Sequence, residues 1–317
     1  MSSSTGSASG GAGGTGAGGG GGVAFVADCT DGWCSIPAGT FMMGSPDGEV
    51  GHSPREQLKQ VTLTRAFEMG QYEVTRAQWG ELGYPHRGNW FDPPDEDYGY
   101  GDCQEPSCPA GNVSWFDAIT YANERSRRAG LEPCFQLDNC TGSVGEEGYG
   151  CTDVALTAPT IYECEGYRLP TTAEWEWAAR AGTWGPFYPG QPTAELPHSS
   201  ACVFDESLAK AGWYCANSEG QTHPVGLKMP NNFGLYDTLG NAIEWVFDHD
   251  HQQGWPGVVV DPGGTVVANN TRVVRGGVYL AWNTILRVAY SHIASANRSD
   301  TGGGFRLART LPAGAQH

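Results

Sequence analysis

The segment YRLPTTAEWEWAARAG, Tyr167 to Gly182, reads as a loop feeding a helix. Thr171 or Thr172 supplies the N-cap hydroxyl, and Glu174 places a carboxylate in the first turn, where unpaired N–H groups and the helix dipole favour it. The helix runs on to Ala181. Arg168 stands among apolar and small residues, where a guanidinium with five donors can bond several loop carbonyls at once. Trp175 and Trp177 read as core, as does Trp245 further on. Upstream, SWFDAITYANERSRRAG, Ser114 to Gly130, is a second helix: Ser114 caps it, Asp117 completes a capping box and Gly130 ends it. Its buried stripe is Phe116, Ile119, Tyr121, Ala122 and Arg125. Val74 to Leu82 is a short helix with Thr75 as its cap. Gln60 to Met69 alternates polar and apolar residues and is expected as one half-buried strand. Cys29 to Gly44 is expected as a strand pair turning at Pro37-Ala38-Gly39. From Cys202 onward, loops and short strands dominate.

Composition narrows the class. The chain has 317 residues, with 18 Lys and Arg against 35 Asp and Glu, a formal charge of −17. A surface that tracks phosphates needs clustered cations, so nucleic acid is not an expected partner. Eleven tryptophans supply a core, while 47 glycines, 20 prolines and only 17% charged residues exclude coiled coils and helical bundles. No stretch approaches the roughly 20 apolar residues of a membrane-spanning helix. Residues 1–22 form a flexible Gly/Ser linker, and 23–317 read as one domain.

Ten cysteines stand at 29, 34, 103, 108, 134, 140, 151, 164, 202 and 215; Cys29/Cys34 and Cys103/Cys108 have the C-x4-C spacing that a zinc site allows, but the other gaps do not and no His-x3-5-His pair follows. Disulfides are the favoured reading. Neighbour pairing is its simplest form, with Cys103/Cys108 stapling a long acidic loop and Cys134 to Cys164 pinning an insertion. Oxidised cysteines imply an extracytoplasmic location: periplasm, cell surface or secreted. The linker has no apolar h-region, so no export signal is expected in this chain; it resembles the spacer of a surface-tethered protein, with a signal upstream of Met1.

IPAGTFMMGS (Ile36 to Ser45), YEVTRAQW (Tyr72 to Trp79), VSWFDAITYAN (Val113 to Asn123), Tyr167 to Gly182, HPVGLKMPNNFGLYDTLGNAIEWVFD (His223 to Asp248), RVVRGG (Arg272 to Gly277) and NRSDTGGGFRLAR (Asn297 to Arg309) follow one another in an order that resembles the sulfatase-modifying-factor family, whose best-known member is the formylglycine-generating enzyme. The resemblance spans most of the chain. It implies an α+β fold, the formylglycine-generating-enzyme variant of the C-type lectin-like fold, with little regular secondary structure.

That enzyme oxidises a substrate cysteine with oxygen, using two cysteines that bind copper(I), a soft ion suited to thiolates. By the resemblance they belong after the Gly-Gly pair, where RGGVYLAWNTILRVAYSH places Ala281 and Leu286. No cysteine follows Cys215, so no copper is expected. Tyr279, Trp282, Asn283 and His292 are the candidate ligand pocket. Ser291 beside His292 faces the opposite side of a strand and cannot pair with it. The resemblance further implies a structural calcium on the side chains of Asp237 and Glu244 and the carbonyls of Gly240 and Ala242, hard oxygen donors at short spacing. The alternative is that Asp237 caps a turn and Glu244 pairs with an arginine. Asp248, His249, Asp250 and His251 form a weaker cation candidate. The acidic run Asp92, Asp95, Glu96, Asp97 and Asp102, interleaved with Trp90, Phe91, Tyr98 and Tyr100, is a solvated loop or a ligand rim. Two functions follow. One is an exported, non-enzymatic module binding a peptide, protein or glycan; the other is an oxidoreductase of the same family acting on a peptide or small molecule through a non-cysteine site.

Overall fold

The computed structural model describes residues 25–87, 101, 103–196, 201–249, 257–263, 266, 270–299 and 302–311. The linker 1–22, the acidic and aromatic residues named between Trp90 and Asp102, and Asp250 and His251 lie outside them. In chain order the elements are β1 (Cys29–Thr30), β2 (Trp33–Ile36), β3 (Gly39–Met43), β4 (Lys59–Leu63), β5 (Phe67–Gly70), α1 (Arg76–Gly80), α2 (Trp115–Arg128), β6 (Phe135–Thr141) and β7 (Gly150–Leu156). They continue with β8 (Tyr167–Arg168), α3 (Thr172–Arg180), α4 (Glu206–Ala211), β9 (Ile243–Trp245), β10 (Val258–Val260), β11 (Thr271–Arg275), β12 (His292–Ser295), β13 (Gly303–Gly304) and β14 (Ala308–Thr310).

Local sequence starts each helix. Ser114 Oγ accepts from the Asp117 N–H while the Asp117 side chain accepts from the Ser114 N–H; Thr171 with Glu174 and Thr75 with Gln78 repeat the device. Asp205 caps α4 by accepting from the Leu208 N–H. α2 and α3 turn their apolar faces inward, burying Trp115 and Trp175 fully and Trp177 nearly so, while Trp79 of α1 and Trp245 of β9 are buried beside them.

Four small sheets surround these helices, in the orders β1-β2-β5-β14-β8, β10-β4-β3, β12-β11-β9-β13 and β6-β7. Two expectations are corrected here. The segments flanking Pro37-Ala38-Gly39 do not pair with each other: β2 pairs with β5 and β3 with β4, in different sheets. The tight hairpin lies earlier, at Asp31-Gly32, where both residues adopt positive φ and β1 meets β2. Gln60 to Met69 is not one strand but two, β4 and β5, each taken by its own sheet. The cysteines form Cys29–Cys34, Cys103–Cys108, Cys134–Cys164, Cys140–Cys151 and Cys202–Cys215, leaving none free. Three bridges follow the simple neighbour pairing expected from the sequence. The other two are nested: Cys134–Cys164 closes the insertion at its root, and Cys140–Cys151 crosslinks its hairpin.

Buried arginines hold the loops. Arg306 donates to both carboxylate oxygens of Glu244 and to the carbonyls of Gly70, Gln71 and Tyr236. Arg275 reaches the carbonyls of Val288, Ala289 and Tyr290 together with Glu176. Arg168 works differently, pairing in a fork with Glu174 and donating to Thr310 and one carbonyl, that of Leu169.

Candidate functional site

β11 delivers the chain to Gly276 and Gly277, whose φ values of +86° and +75° suit residues without a Cβ. From there the segment to His292 crosses the molecule by backbone contacts. Tyr279 N–H donates to the Asn241 carbonyl, Cys215 N–H to that of Ala281, and Val288 N–H to that of Pro186. Ala281 and Leu286 both point into the core, at 3% and 0% exposure. Leu286 packs so close to Gly277 that a Cβ added there would meet Leu286 Cδ2 at 2.9 Å. The two positions that the resemblance assigns to thiols are therefore filled by buried hydrocarbon.

The four pocket candidates occupy two different environments. Tyr279 and Asn283 are fully buried, and the Asn283 carboxamide exchanges two hydrogen bonds with Val203 N–H (3.0 Å) and carbonyl (2.8 Å), fixing the loop that carries Cys202. Trp282 is 38% exposed, and His292 lies exposed on β12 opposite Val274. Partial burial, with Arg298 and Arg55 adding to it, holds the His292 imidazole below its ordinary value. Beside this segment lies a concavity of about 500 Å³ that sequence reasoning missed. Trp184, Val50, Leu196 and Pro186 line it, with Glu49 and Glu195 at its edge. Arg287 joins it to the 283–285 turn, donating to Glu49 at 2.7 Å and to Glu56 at 2.6 Å. A solvent-exposed Trp184 in a Gly-Pro loop was the available signal.

The proposed calcium ligands come together only in part. Asp237 is fully buried at positive φ; its Oδ2 accepts from Gly226 N–H at 2.7 Å, while Oδ1 has no hydrogen-bond partner among the described residues. An orphaned buried carboxylate oxygen fits a hard cation. Glu244 does not: one oxygen accepts from Arg306, the other from Arg306 and from Trp175 Nε1 at 2.8 Å. Glu73, unremarked in the sequence, completes the centre by accepting from Ala242 N–H and Asn241 Nδ2, each at 2.8 Å. Burial, with Asp237 and Glu244 adding to it, raises the Glu73 carboxyl well above its ordinary range, and burial pushes Asp237 up to about 6. Among the described residues no three His, Cys, Asp or Glu side chains converge as a metal-binding group.

Short strands, capped helices and arginine-held loops around a Gly-Gly turn define an α+β protein of the formylglycine-generating-enzyme type of fold. The chain belongs to the sulfatase-modifying-factor family: residues 26–311 match the "Sulfatase-modifying factor enzyme 1-like domain". It is similar to "Chaperone protein LppX" of Paenibacillus barcinonensis, 27% identical over 270 residues covering 80% of this chain and 82% of that one. It is also similar to a formylglycine-generating enzyme of Streptomyces coelicolor, 31% identical over 301 residues with 87% of each covered. Among solved structures, "Treponema denticola variable protein 1" superposes with a TM-score of 0.65 at 27% identity, covering 88% of this chain and 95% of that one.

Proposed function

We propose that this chain is an exported, non-enzymatic member of its family that binds a peptide, protein or glycan at the surface around Trp282. The observation that carries the reading is the pair Ala281 and Leu286, buried where the enzyme's thiolates are expected, with every cysteine of the chain committed to a disulfide. A copper(I) site needs soft thiolates, and alkyl groups offer no donor. Three exposed aromatics support binding: Trp282, Phe204 next to the Val203 anchor, and Trp184 in the concavity beside Arg287. Exposed aromatics serve as anchors for partners. The relative named as a chaperone points the same way. Five disulfides favour an oxidising, extracytoplasmic compartment, where the Gly/Ser stretch serves as a tether.

The test has two arms. Protein incubated with copper(I), oxygen and a cysteine-containing peptide is expected to leave the peptide unchanged by mass spectrometry and to consume no oxygen. In parallel it is expected to suppress aggregation of a heat-denatured reference enzyme, and Trp282→Ala and Trp184→Ala to weaken that suppression. Oxidation of the peptide would move the reading to an oxidoreductase with a non-cysteine site. Calcium belongs to the same proposal as a structural ion on Asp237, supported by the orphaned Oδ1; Glu244 would have to exchange part of its bond to Arg306 for the ion. A rise in Tm with calcium that chelator reverses, absent in Asp237→Ala, is the expected result. An unchanged Tm would leave Arg306, with Lys228 beside Asp237, as the counter-charge of the centre.

A further inference from the structure

A separate concavity of about 660 Å³ opens between the β6–β7 hairpin, the start of α2 and the chain flanking β11 and β12. Asp138 and Asp153 stand directly opposite each other in its hairpin wall. Facing residues of an antiparallel pair hold their Cβ atoms about 5 Å apart, and like charges there repel. The fold keeps both carboxylates all the same and aims them. Asp138 Oδ2 accepts from Gln136 Nε2 at 2.8 Å, while Asp153 Oδ2 accepts from Asn139 Nδ2 at 2.6 Å and Thr152 Oγ1 at 3.1 Å. Oδ1 of each takes no part in these bonds, and neither Asp makes an ion pair among the described residues. The Cys140–Cys151 bridge is the next same-face pair along the ladder and holds the two strands in register.

Across the cavity stand the carboxamides of Asn270 and Asn297, with the ring of Phe116 contributing an apolar patch. The walls meet closely at Gly150, where a Cβ would lie 3.3 Å from Asn297 Oδ1 and 3.4 Å from Phe116. A hydroxyl both donates and accepts, so it satisfies a carboxylate on one side and a carboxamide N–H on the other. A ring carrying several hydroxyls, with one C–H face, matches this mixture of planar polar groups and a single aromatic. Arg272 also lines the concavity, and its positive charge disfavours a metal ion or a purely cationic ligand there. The volume lies within the range of small-molecule sites.

We propose that this concavity is a saccharide-binding site, which takes a neutral mono- or disaccharide through hydroxyls bonded to Asp138 and Asp153 and to the carboxamides of Asn270 and Asn297. It is independent of the surface around Trp282. The test is titration of the full chain with cellobiose, maltose and N,N′-diacetylchitobiose, followed by saturation-transfer NMR and calorimetry. At least one is expected to bind with a dissociation constant on the order of millimolar. Asp138→Ala and Asp153→Ala are each expected to weaken it about tenfold or more, through lost hydrogen bonds to a charged acceptor. Both variants should keep the parent Tm or exceed it, because each removes one of two facing like charges. Asp31→Ala, in the acidic β1–β2 turn, should bind as the parent does. The proposal is overturned if none of the three sugars binds at about 10 mM, or if both variants bind as the parent does. Loss of sugar binding on chelation, or binding of spermine in place of sugar, would overturn it equally.

Discussion

Arg306 holds irregular loops deep inside, whereas the Cys140–Cys151 bridge staples the seven-residue strands β6 and β7 at the rim. Arg306 is fully buried and ties a carboxylate to carbonyls drawn from two distant loops. The bridge joins residues only 11 apart within a hairpin whose side chains are largely exposed. Removing one partner of the interior device is costly, because a buried charge left alone costs far more than the pair yields. The rim device acts mainly on the unfolded chain and leaves its neighbours solvated.

The sharpest way to break this contrast is Arg306→Met, which strands Glu244 in the core. It is expected to destabilise by about 3–5 kcal/mol in urea unfolding; a smaller loss than the hairpin bridge causes would reverse the ranking. Leu286→Ala asks whether the Gly-Gly region is core in energy as well as in geometry. A fully buried leucine against Gly277 predicts a loss of about 2–5 kcal/mol by the same assay. Replacing Cys140 and Cys151 together by serine should cost about 2–3 kcal/mol at most. Its extra hydrogen exchange should stay within 135–156, whereas the two core variants should raise exchange throughout. Ser114→Ala removes one cap acceptor from α2 and is expected to cost about 1 kcal/mol. The smallest effect is titration. Partial burial lowers His292 and His86 from the ordinary 6.5, so the folded chain binds fewer protons than the unfolded chain in the window just below 6.5. Their contribution to stability is present above that pH and lost as the pH falls. A Tm-versus-pH slope in this window that is shallower in His292→Gln and His86→Gln would confirm the sign.

What the sequence revealed follows range. Caps are local, so Ser114 with Asp117 and Thr171 with Glu174 were legible, and so were the helices they begin. The fate of Ile36 to Ser45 was not: a Pro-Ala-Gly turn looks like a hairpin, yet strand partners are chosen by distant residues, Phe67–Gly70 and Lys59–Leu63. The nested bridges were hidden for the same reason. At the site, donor types were readable in Asp237 and Glu244. That Arg306 claims both oxygens of Glu244, and that Glu73 shares the centre, depends on segments far apart in the chain. Trp282 was named with Tyr279 and Asn283 as one pocket; that it alone of the three is exposed depends on the packing of distant segments. Asp138 and Asp153 carried no signal, because only the hairpin register places them face to face.

The root of the insertion has a practical consequence. Cys134 and Cys164 bring the two ends of that excursion to a Cα separation of 5.6 Å, and Asn123 of α2 clamps Phe135 through both its N–H and its carbonyl. That stitch fixes the width of the root, and the far end is seated separately on α2, where Tyr149 Oη and Thr120 Oγ1 lie 2.9 Å apart. Exchanging residues 142–148 would therefore reach back to the start of α2, because buried Gly145 donates its N–H to Asp117 Oδ1 at 2.9 Å: the excursion is a clasp fastened at both ends, not an appendage open to transplantation.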